Sequence, residues 1–498
     1  MELVHRAAKS TVATLVSGRA RLHPTRVASV DGERRVTYGE LELRAGKLAS
    51  VLAARGVTLG DRIALLSENR GEILEVFLAA AKLGAIVACQ NWRLAPPELA
   101  HCIALVEPVL AIGSPRHAAA LAAPIVLGAE YEALLDAAAP LAERDVDPEA
   151  PLLILYTSGT TGLPKGAVLS HRAQIVRNMV TRAEFGVAED DTFVAWSPLY
   201  HMGAVDNSLG TLMAGGTVIV VNGFDAGALA SIVATEALGW LLLMPGMVGR
   251  FADELEARGL TAKSIRVCGV MADLVPPSEI ARITTLLGAP YANTFGATET
   301  GCPPCSSSLI PIGVVPAKLS KQQSPFCEIR LVDPEDRDVP DGAPGELAMR
   351  GPTMFSGYWH NDAANQHDFR GGWFHMGDVF VRNPDRSLDF VDRVKYLIKT
   401  GGENVYPAEI ERVMLQDPRV EEVCVVRAPD PKWGEVPVAF VARRDESLDE
   451  AALHALCRAQ LAGFKQPKAI RFIAIAEFPR SASGKVQRHE LERKFKTP

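Results

Sequence analysis

Through the first 300 residues, short β-rich apolar runs alternate with segments of helical periodicity. That alternation constrains the fold most, because a parallel sheet needs a crossover connection, usually a helix, between successive strands. Runs at 62–66, 85–89 and 109–112 read as strands, and the segment 71–83 places Ile73, Val76, Phe77 and Ala80 on one helical face. The pattern restarts at 152–156 and continues through 192–196, 217–221, 240–244 and 265–270, which makes two α/β layers. After about Pro311 the runs at 328–332, 346–349, 378–381 and 388–391 are short strands punctuated by Gly, Pro and Asp, as in a barrel or small all-β unit. Beyond Arg393, strands at 394–399, 423–427 and 436–442 mix with helices near 408–415 and 449–461, a separate α+β module. The expected architecture is α/β: a large N-terminal domain, residues 1–392, of two α/β subdomains plus a β-barrel, and a small α+β C-terminal domain, residues 393–498.

Charge and composition narrow the function classes. The chain carries 52 Lys and Arg against 59 Asp and Glu, net −7, which argues against a dedicated nucleic-acid binder. From Arg393 onward 19 basic residues meet 15 acidic ones, so a basic tail follows an acidic body. That suits a polyanionic ligand, and ordinary surface variation gives the same count. The longest apolar candidate, 238–248, is broken by Pro245 and falls short of the ~20 residues a membrane span needs, so no membrane span is expected. Residues 1–24 carry Glu2 and lack an apolar core, so 10–20 reads as an opening helix rather than a targeting signal. Eight scattered cysteines fit a reducing compartment, and the cytoplasm is the expected location. The pair Cys302-Pro-Pro-Cys305 has metal or redox spacing, but no second pair accompanies it, and incidental thiols are the expectation.

The strongest local signal is Thr157-Ser-Gly-Thr-Thr-Gly-Leu-Pro-Lys-Gly166, directly after the apolar run 152–156. Glycines let backbone wrap an anion, hydroxyls and N–H groups donate to phosphate oxygens, and Lys165 adds charge. Thr157, Ser158, Gly159, Thr160, Thr161, Gly162 and Lys165 are therefore candidate polyphosphate contacts. A Walker A loop must end in Gly-Lys-Ser/Thr, whereas this one reads Pro164-Lys165-Gly166, so the P-loop reading fails.

Tyr156 to Gly166 followed by Ala167 to His171 resembles the signature of the adenylate-forming superfamily, which includes acyl-CoA synthetases, luciferases and the adenylation domains of peptide synthetases. Further matching motifs occur in that family's order from Thr37 to Lys485. The resemblance implies ATP, magnesium and coenzyme A as co-substrates and cofactor, a mobile C-terminal domain, and the following roles. In Thr294-Phe-Gly-Ala-Thr-Glu299, Phe295 stacks on adenine, Thr298 contacts phosphate and Glu299 holds magnesium. Asp378, in Trp373-Phe-His-Met-Gly-Asp378, accepts from both ribose hydroxyls, and Arg393 makes a second ribose contact. Lys395 falls at the hinge, and Lys485, in Arg480-Ser-Ala-Ser-Gly-Lys485, is the catalytic lysine that bridges carboxylate and α-phosphate. Lys399, Gly401 and Gly402 lie in the loop that swings in for thioester formation, while Trp433, Phe464 and Lys468 meet the CoA nucleotide. His201 matches an active-site wall beside the carboxylate, and Met202, Gly203, Ala204, Met244, Met271 and Gly296 belong to the acyl pocket.

These small or apolar pocket residues imply an uncharged apolar acid: alicyclic, aromatic or medium-chain. Asp206 does not match the position at which peptide-synthetase domains pair an amino group, so an amino acid is disfavoured. Two segments depart from the family pattern: 268–272, where a second glycine is common, and 313–327, where Lys318 and Lys321 replace the usual glycine-rich turn. The reading is an ATP-dependent acyl-CoA ligase acting on a small-molecule acid, with room left for a homodimer. Its rivals are transfer to a carrier protein, a luciferase-like oxygenase and a catalytically silent ligand-binding relative.

Overall fold

The computed structural model describes residues 4, 7–142, 144–157, 163–401, 403–480 and 486–496. The first layer is a six-stranded sheet in the order Ile125–Val126, Leu110–Gly113, Arg62–Leu66, Ile86–Gln90, Pro151–Thr157, Lys165–Ser170. Its ladders are parallel except the last, where Thr157 lies opposite Lys165. Thr157 and Lys165, which flank the expected phosphate contacts, are thereby anchored on neighbouring strands of one sheet. The second layer comprises two four-stranded sheets. Arg34–Thr37, Val27–Asp31, Val218–Val220 and Phe193–Ala195 form one, and Ala237–Leu241, Ser264–Cys268, Tyr291–Ala292 and Leu309–Ile310 the other. Among the described residues a parallel bridge, Thr192 to Leu238, joins them.

The strand expected at 240–244 lies earlier, at Ala237–Leu241. Leu242 and Leu243 are buried yet leave the ladder, because the Leu242 carbonyl accepts from the Trp196 indole at 2.8 Å and Pro245 opens the next turn. The helix expected over 71–83 runs Glu72–Leu83, and all twelve residues are buried, not one face. Its charges are paired instead of exposed: Lys82 lies 2.6 Å from Glu42, and Glu75 lies 2.8 Å from Arg44.

The all-β region forms a four-stranded antiparallel sheet, Glu328–Val332, Pro344–Arg350, Phe374–Arg382 and Leu388–Arg393. Among the described residues its ladder order is open rather than closed. The C-terminal sheet centres on Gly434–Arg443, flanked by Val420–Asp430 and by Ala469–Phe472. Alternation along these strands fills two separate cores. Val423, Val425, Ala439 and Val441 join one cluster, while Cys424, Val426, Val438 and Phe440 join the other. Both clusters are distinct from the large core that runs from Val12 to Leu388. Residues 394–399 are not one strand: Val394–Tyr396 is a tight helical turn, and only Ile398–Thr400 is extended. No helix among the described residues is long and apolar enough to cross a membrane.

His171, which opens helix His171–Phe185, is fully buried and its Nδ1 accepts from the Val12 N–H at 3.3 Å. Burial pushes its pKa from 6.5 down to about 4. Between those values the unfolded chain binds a proton that the folded one refuses, so the contribution is complete above pH 6.5 and is lost as pH falls. Linkage gives about 3 kcal/mol lost by pH 4. Urea midpoints across pH 4 to 7 should fall less steeply for His171→Gln than for the wild type; parallel slopes would exclude His171 as the titrating group.

Candidate active site

A cleft of about 2750 Å³ opens between the sheets and the C-terminal module, and most of the expected nucleotide residues line it. On one wall, the segment after the all-β sheet's second strand adds to the edge of Lys165–Ser170: the Val168 N–H donates to the Gly357 carbonyl and the Trp359 N–H to Gly166. That pairing carries Tyr358 into the cleft. Lys165 Nζ sits 3.9 Å from the Tyr358 ring centre and 3.2 Å from Asp368. The Tyr358 hydroxyl donates to Glu299 Oε1 at 2.9 Å. Burial, and then the Glu299 charge, push the Tyr358 pKa up, so the phenol stays a donor. Lys165 and Glu299 are thus held by one aromatic side chain. Ser158, Gly159, Thr160, Thr161 and Gly162 lie outside the described residues, while Thr157 is present at the cleft.

Glu299 stands in the tight turn of a hairpin, Phe295–Ala297 with Gly301–Cys305. Thr300 closes that turn, its hydroxyl accepting from the Ala297 N–H at 3.0 Å. Phe295 is fixed by Phe380 edge-on at 4.8 Å and by Phe390 stacked at 5.2 Å. Cys302 and Cys305 occupy the second hairpin strand, and burial raises both thiols. Among the described residues no group of three or more His, Cys, Asp or Glu side chains could cage a metal.

On the opposite wall, Asp378 and Arg393 are register partners on adjacent strands, with Arg393 Nε donating to Asp378 Oδ1 at 3.0 Å. Asp378 is 2% exposed, and its charge holds the Arg393 guanidinium above its usual pKa. Lys395 also lines the cleft, and burial and then the neighbouring Arg393 lower its pKa. Its carbonyl accepts from Arg427 at 2.5 Å, while Asp392 Oδ2 accepts from the Ala408 N–H that begins helix Pro407–Met414. These contacts stitch the C-terminal module to the last strand before it.

At the acyl end, His201 precedes helix Met202–Ala214, and Met202, Gly203, Met244, Met271 and Gly296 line the cleft. Ala204 does not, being fully buried in the core. Arg177, 3% exposed and not anticipated from the sequence, ties three pieces of the site together. It donates to Asp206 at 3.1 Å, to the Thr298 carbonyl at 3.0 Å and to the Thr353 carbonyl at 2.9 Å. Gly301 is what makes room for it, since a Cβ there would sit 3.0 Å from the Arg177 stem. Asp206, whose position had spoken only against an amino acid, is thus the partner of Arg177 and Gln174.

The residues expected at CoA are not in the cleft. Lys399, Gly401, Trp433, Phe464 and Lys468 do not line it, and Trp433 and Phe464 are 40% and 39% exposed. Gly401 (φ 57°) packs so closely on Trp433 that a Cβ would lie 2.7 Å from its ring. Gly402 and Lys485 fall outside the described residues. The residues that bracket Lys485, Arg480 and Val486, pair with each other and line the cleft. The module therefore turns Arg480 and Val486, and not Trp433, toward the expected nucleotide residues.

One of the two segments that depart from the family pattern, 313–327, is tied to the residue that directly follows the other. Lys321, fully buried, lies 2.6 Å from Asp273 Oδ2 and 2.5 Å from Asn293 Oδ1, and Asn293 in turn donates to the Leu319 and Ser320 carbonyls.

The chain matches known proteins over most of its length. The AMP-binding enzyme family matches residues 16–359, and the AMP-binding enzyme C-terminal domain matches residues 409–485. A feruloyl-CoA synthase from Amycolatopsis is 35% identical, with 96% of this chain and 97% of that protein aligned. An indoleacetate–CoA ligase from Aromatoleum aromaticum is 34% identical over 96% of each chain. The crystal structure of ATP-bound MatB from Rhodopseudomonas palustris superposes with a TM-score of 0.84 at 28% identity, covering 97% of this chain and 99% of that one. The chain therefore belongs to the AMP-binding enzyme family, within the adenylate-forming superfamily, and it is an acid–thiol ligase of the AMP-forming kind.

Proposed function

We propose that this ligase joins an uncharged carboxylic acid of aromatic, alicyclic or medium-chain type to coenzyme A through an acyl-AMP intermediate. The observation that carries the reading is the convergence of Lys165, Tyr358 and Glu299 on one wall with Asp378 and Arg393 on the other, around one cleft. In the first half-reaction a carboxylate oxygen attacks the α-phosphorus of ATP and pyrophosphate leaves. In the second, the CoA sulfur attacks the acyl carbon, AMP leaves and the thiol proton is released. Asp378 suits the two ribose hydroxyls, because a carboxylate has two oxygens that can each accept from one of two vicinal hydroxyls. Phe295, braced by two phenylalanines, offers adenine a ring whose orientation is already set. Lys165, steadied by Tyr358, reaches toward the phosphates, and Lys485 delivers the cation between carboxylate and α-phosphate.

Glu299 would hold magnesium. A single buried carboxylate fits that ion, which takes its remaining ligands from phosphates and water. When bound, it neutralises charge that develops on the phosphate oxygens. Tyr358 fixes the Glu299 oxygen from behind, so Tyr358→Phe should raise the magnesium concentration needed for half-maximal pyrophosphate release about tenfold. An unchanged requirement would remove Tyr358 from that role.

The chain divides at residues 392 and 393 with its hinge at Lys395; the separate apolar cores before and after this point support that division. The pose described, with Arg480 and Val486 at the cleft and Trp433 away from it, suits adenylation. Rotation about Lys395 would bring Lys399, Gly401, Gly402 and Trp433 in for the thiol, with Phe464 and Lys468 toward the CoA nucleotide. The relatives named for feruloyl-CoA and indoleacetate favour the aromatic option. The test is a panel of aromatic, alicyclic and straight-chain acids with ATP, scored for pyrophosphate and for thioester with and without CoA. Thioester from none of them would refute the proposal.

A further inference from the structure

We propose that Glu346 is a positioning residue for the nucleotide: its carboxylate holds the strand bulge that presents Asp378 to the ribose. This rests on the reading of Asp378 as the ribose acceptor and adds what sets that acceptor in place. Strands Pro344–Arg350 and Phe374–Arg382 pair in antiparallel register, with Ala348 opposite His375 and Glu346 opposite Val379. Between those pairs a single residue, Leu347, faces three, Met376, Gly377 and Asp378. Two residues are in excess, so the strand must bulge there. The ladder on its other side begins only at Asp378, opposite Arg393, and Met376 and Gly377 have no register partner on either side among the described residues. Asp378 is thus the first residue after a break, and the aim of its carboxylate depends on how that break is held.

Glu346 supplies the hold. A backbone N–H that leaves a ladder needs another acceptor, and the Gly377 N–H donates to Glu346 Oε1 at 3.1 Å. Gly377 itself takes the left-handed conformation, φ 71°, that the bulge requires and that glycine adopts without strain. The other oxygen of Glu346, Oε2, accepts from Arg370 at 2.6 Å and lies 3.4 Å from Nδ1 of the buried His375. Burial works against a charge on Glu346, but His375 and Arg370 outweigh it and hold the carboxyl below its usual range, so the group stays an acceptor. One oxygen is therefore pinned by cationic neighbours while the other caps the bulge. Glu346, Gly377 and Asp378 all line the cleft, so the brace and the acceptor it aims stand at the same wall.

The test is calorimetric titration of the full chain, with magnesium, by ATP, 2′-deoxy-ATP and 3′-deoxy-ATP. The ratio of Kd values is the readout, because unfolded protein lowers the stoichiometry and leaves the ratio alone. The wild type should bind at least one deoxynucleotide about tenfold more weakly than ATP, since a missing hydroxyl leaves an Asp378 oxygen unpaired, and Asp378→Ala should bring that ratio to about one. Glu346→Ala should weaken ATP binding about tenfold and cut the ratio to about three or less, the effect of letting a positioned group drift. Glu346→Gln, whose amide oxygen still accepts from Gly377, should keep the ratio within about twofold of the wild type. Gly377→Ala reaches the same bulge from its other end: a Cβ meets nothing within 4 Å, but the positive φ opposes it, so its ratio should fall too. Asp378→Ala combined with Glu346→Ala should bind ATP at most about twofold more weakly than Asp378→Ala alone, as for residues that act through one contact. A wild-type ratio in Glu346→Ala or Gly377→Ala overturns the proposal, as does a Gln variant damaged as badly as the Ala variant. So do additive losses, which would place Glu346 on the nucleotide itself. Those results leave the ribose reading standing, whereas a wild type that does not discriminate, or an unchanged ratio in Asp378→Ala, removes that reading and the proposal together.

Discussion

Lys485→Ala should lower acid-dependent pyrophosphate release about 10²- to 10³-fold, the loss that follows removal of one preorganised group at developing charge. The same variant should convert a supplied acyl-adenylate to thioester at close to the wild-type rate. The asymmetry follows from the two faces of the C-terminal module. Arg480 and Val486, on either side of Lys485, pair and line the cleft, while Gly401 and Trp433 pack together elsewhere. A cation needed for in-line attack at phosphorus has no task once the leaving group is AMP and the nucleophile is sulfur. Single-turnover assays of each half-reaction decide the point. Equal losses in both halves would mean that Lys485 supports the module as a whole, and the two-face reading would fail.

What the sequence made legible is what local pattern encodes. The strands at 62–66 and 328–332 coincide with Arg62–Leu66 and Glu328–Val332, because a compact apolar run bounded by turn residues has one extended solution. The site was legible where one motif carries several of its residues, as in 294–299. Tyr358 was not, since its role depends on contacts with Glu299, 59 residues away, and with Lys165, on a neighbouring strand. Arg177 escaped for the same reason: its partners Thr298 and Thr353 lie 121 and 176 residues downstream. A buried arginine with no local acidic neighbour at helical spacing was the available signal. In the segment 71–83 the sequence shows one apolar helical face, and nothing local announces that Arg44 and Glu42, on another helix, pair with Glu75 and Lys82.

The second large effect is on stability. Lys321→Ala should cost about 3 to 5 kcal/mol, because it leaves Asp273 as an uncompensated charge with little access to water. Residues 268–272 and 313–327 each look anomalous alone, since a lysine replaces a small turn residue and a glycine is missing. In space a buried ion pair joins Lys321, in the second, to Asp273, which directly follows the first. The Lys321 ammonium bridges Asp273 and Asn293, two residues before Phe295, and Met271 beside it adopts a left-handed backbone (φ 52°) that a non-glycine residue keeps only when its surroundings hold it. Lys321→Met with Asp273→Leu removes both charges together and should recover most of the loss. The recovery should stop short of complete, because Asn293 Oδ1 is left without its donor, a deficit of about 1 to 3 kcal/mol. The C-terminal cores are separate, so unfolding need not be one transition, and the shift belongs to the transition that carries the large core. If Lys321→Ala alone and the paired replacement moved that transition equally, the ion pair would contribute nothing specific, and the anomalous segments would be neutral drift.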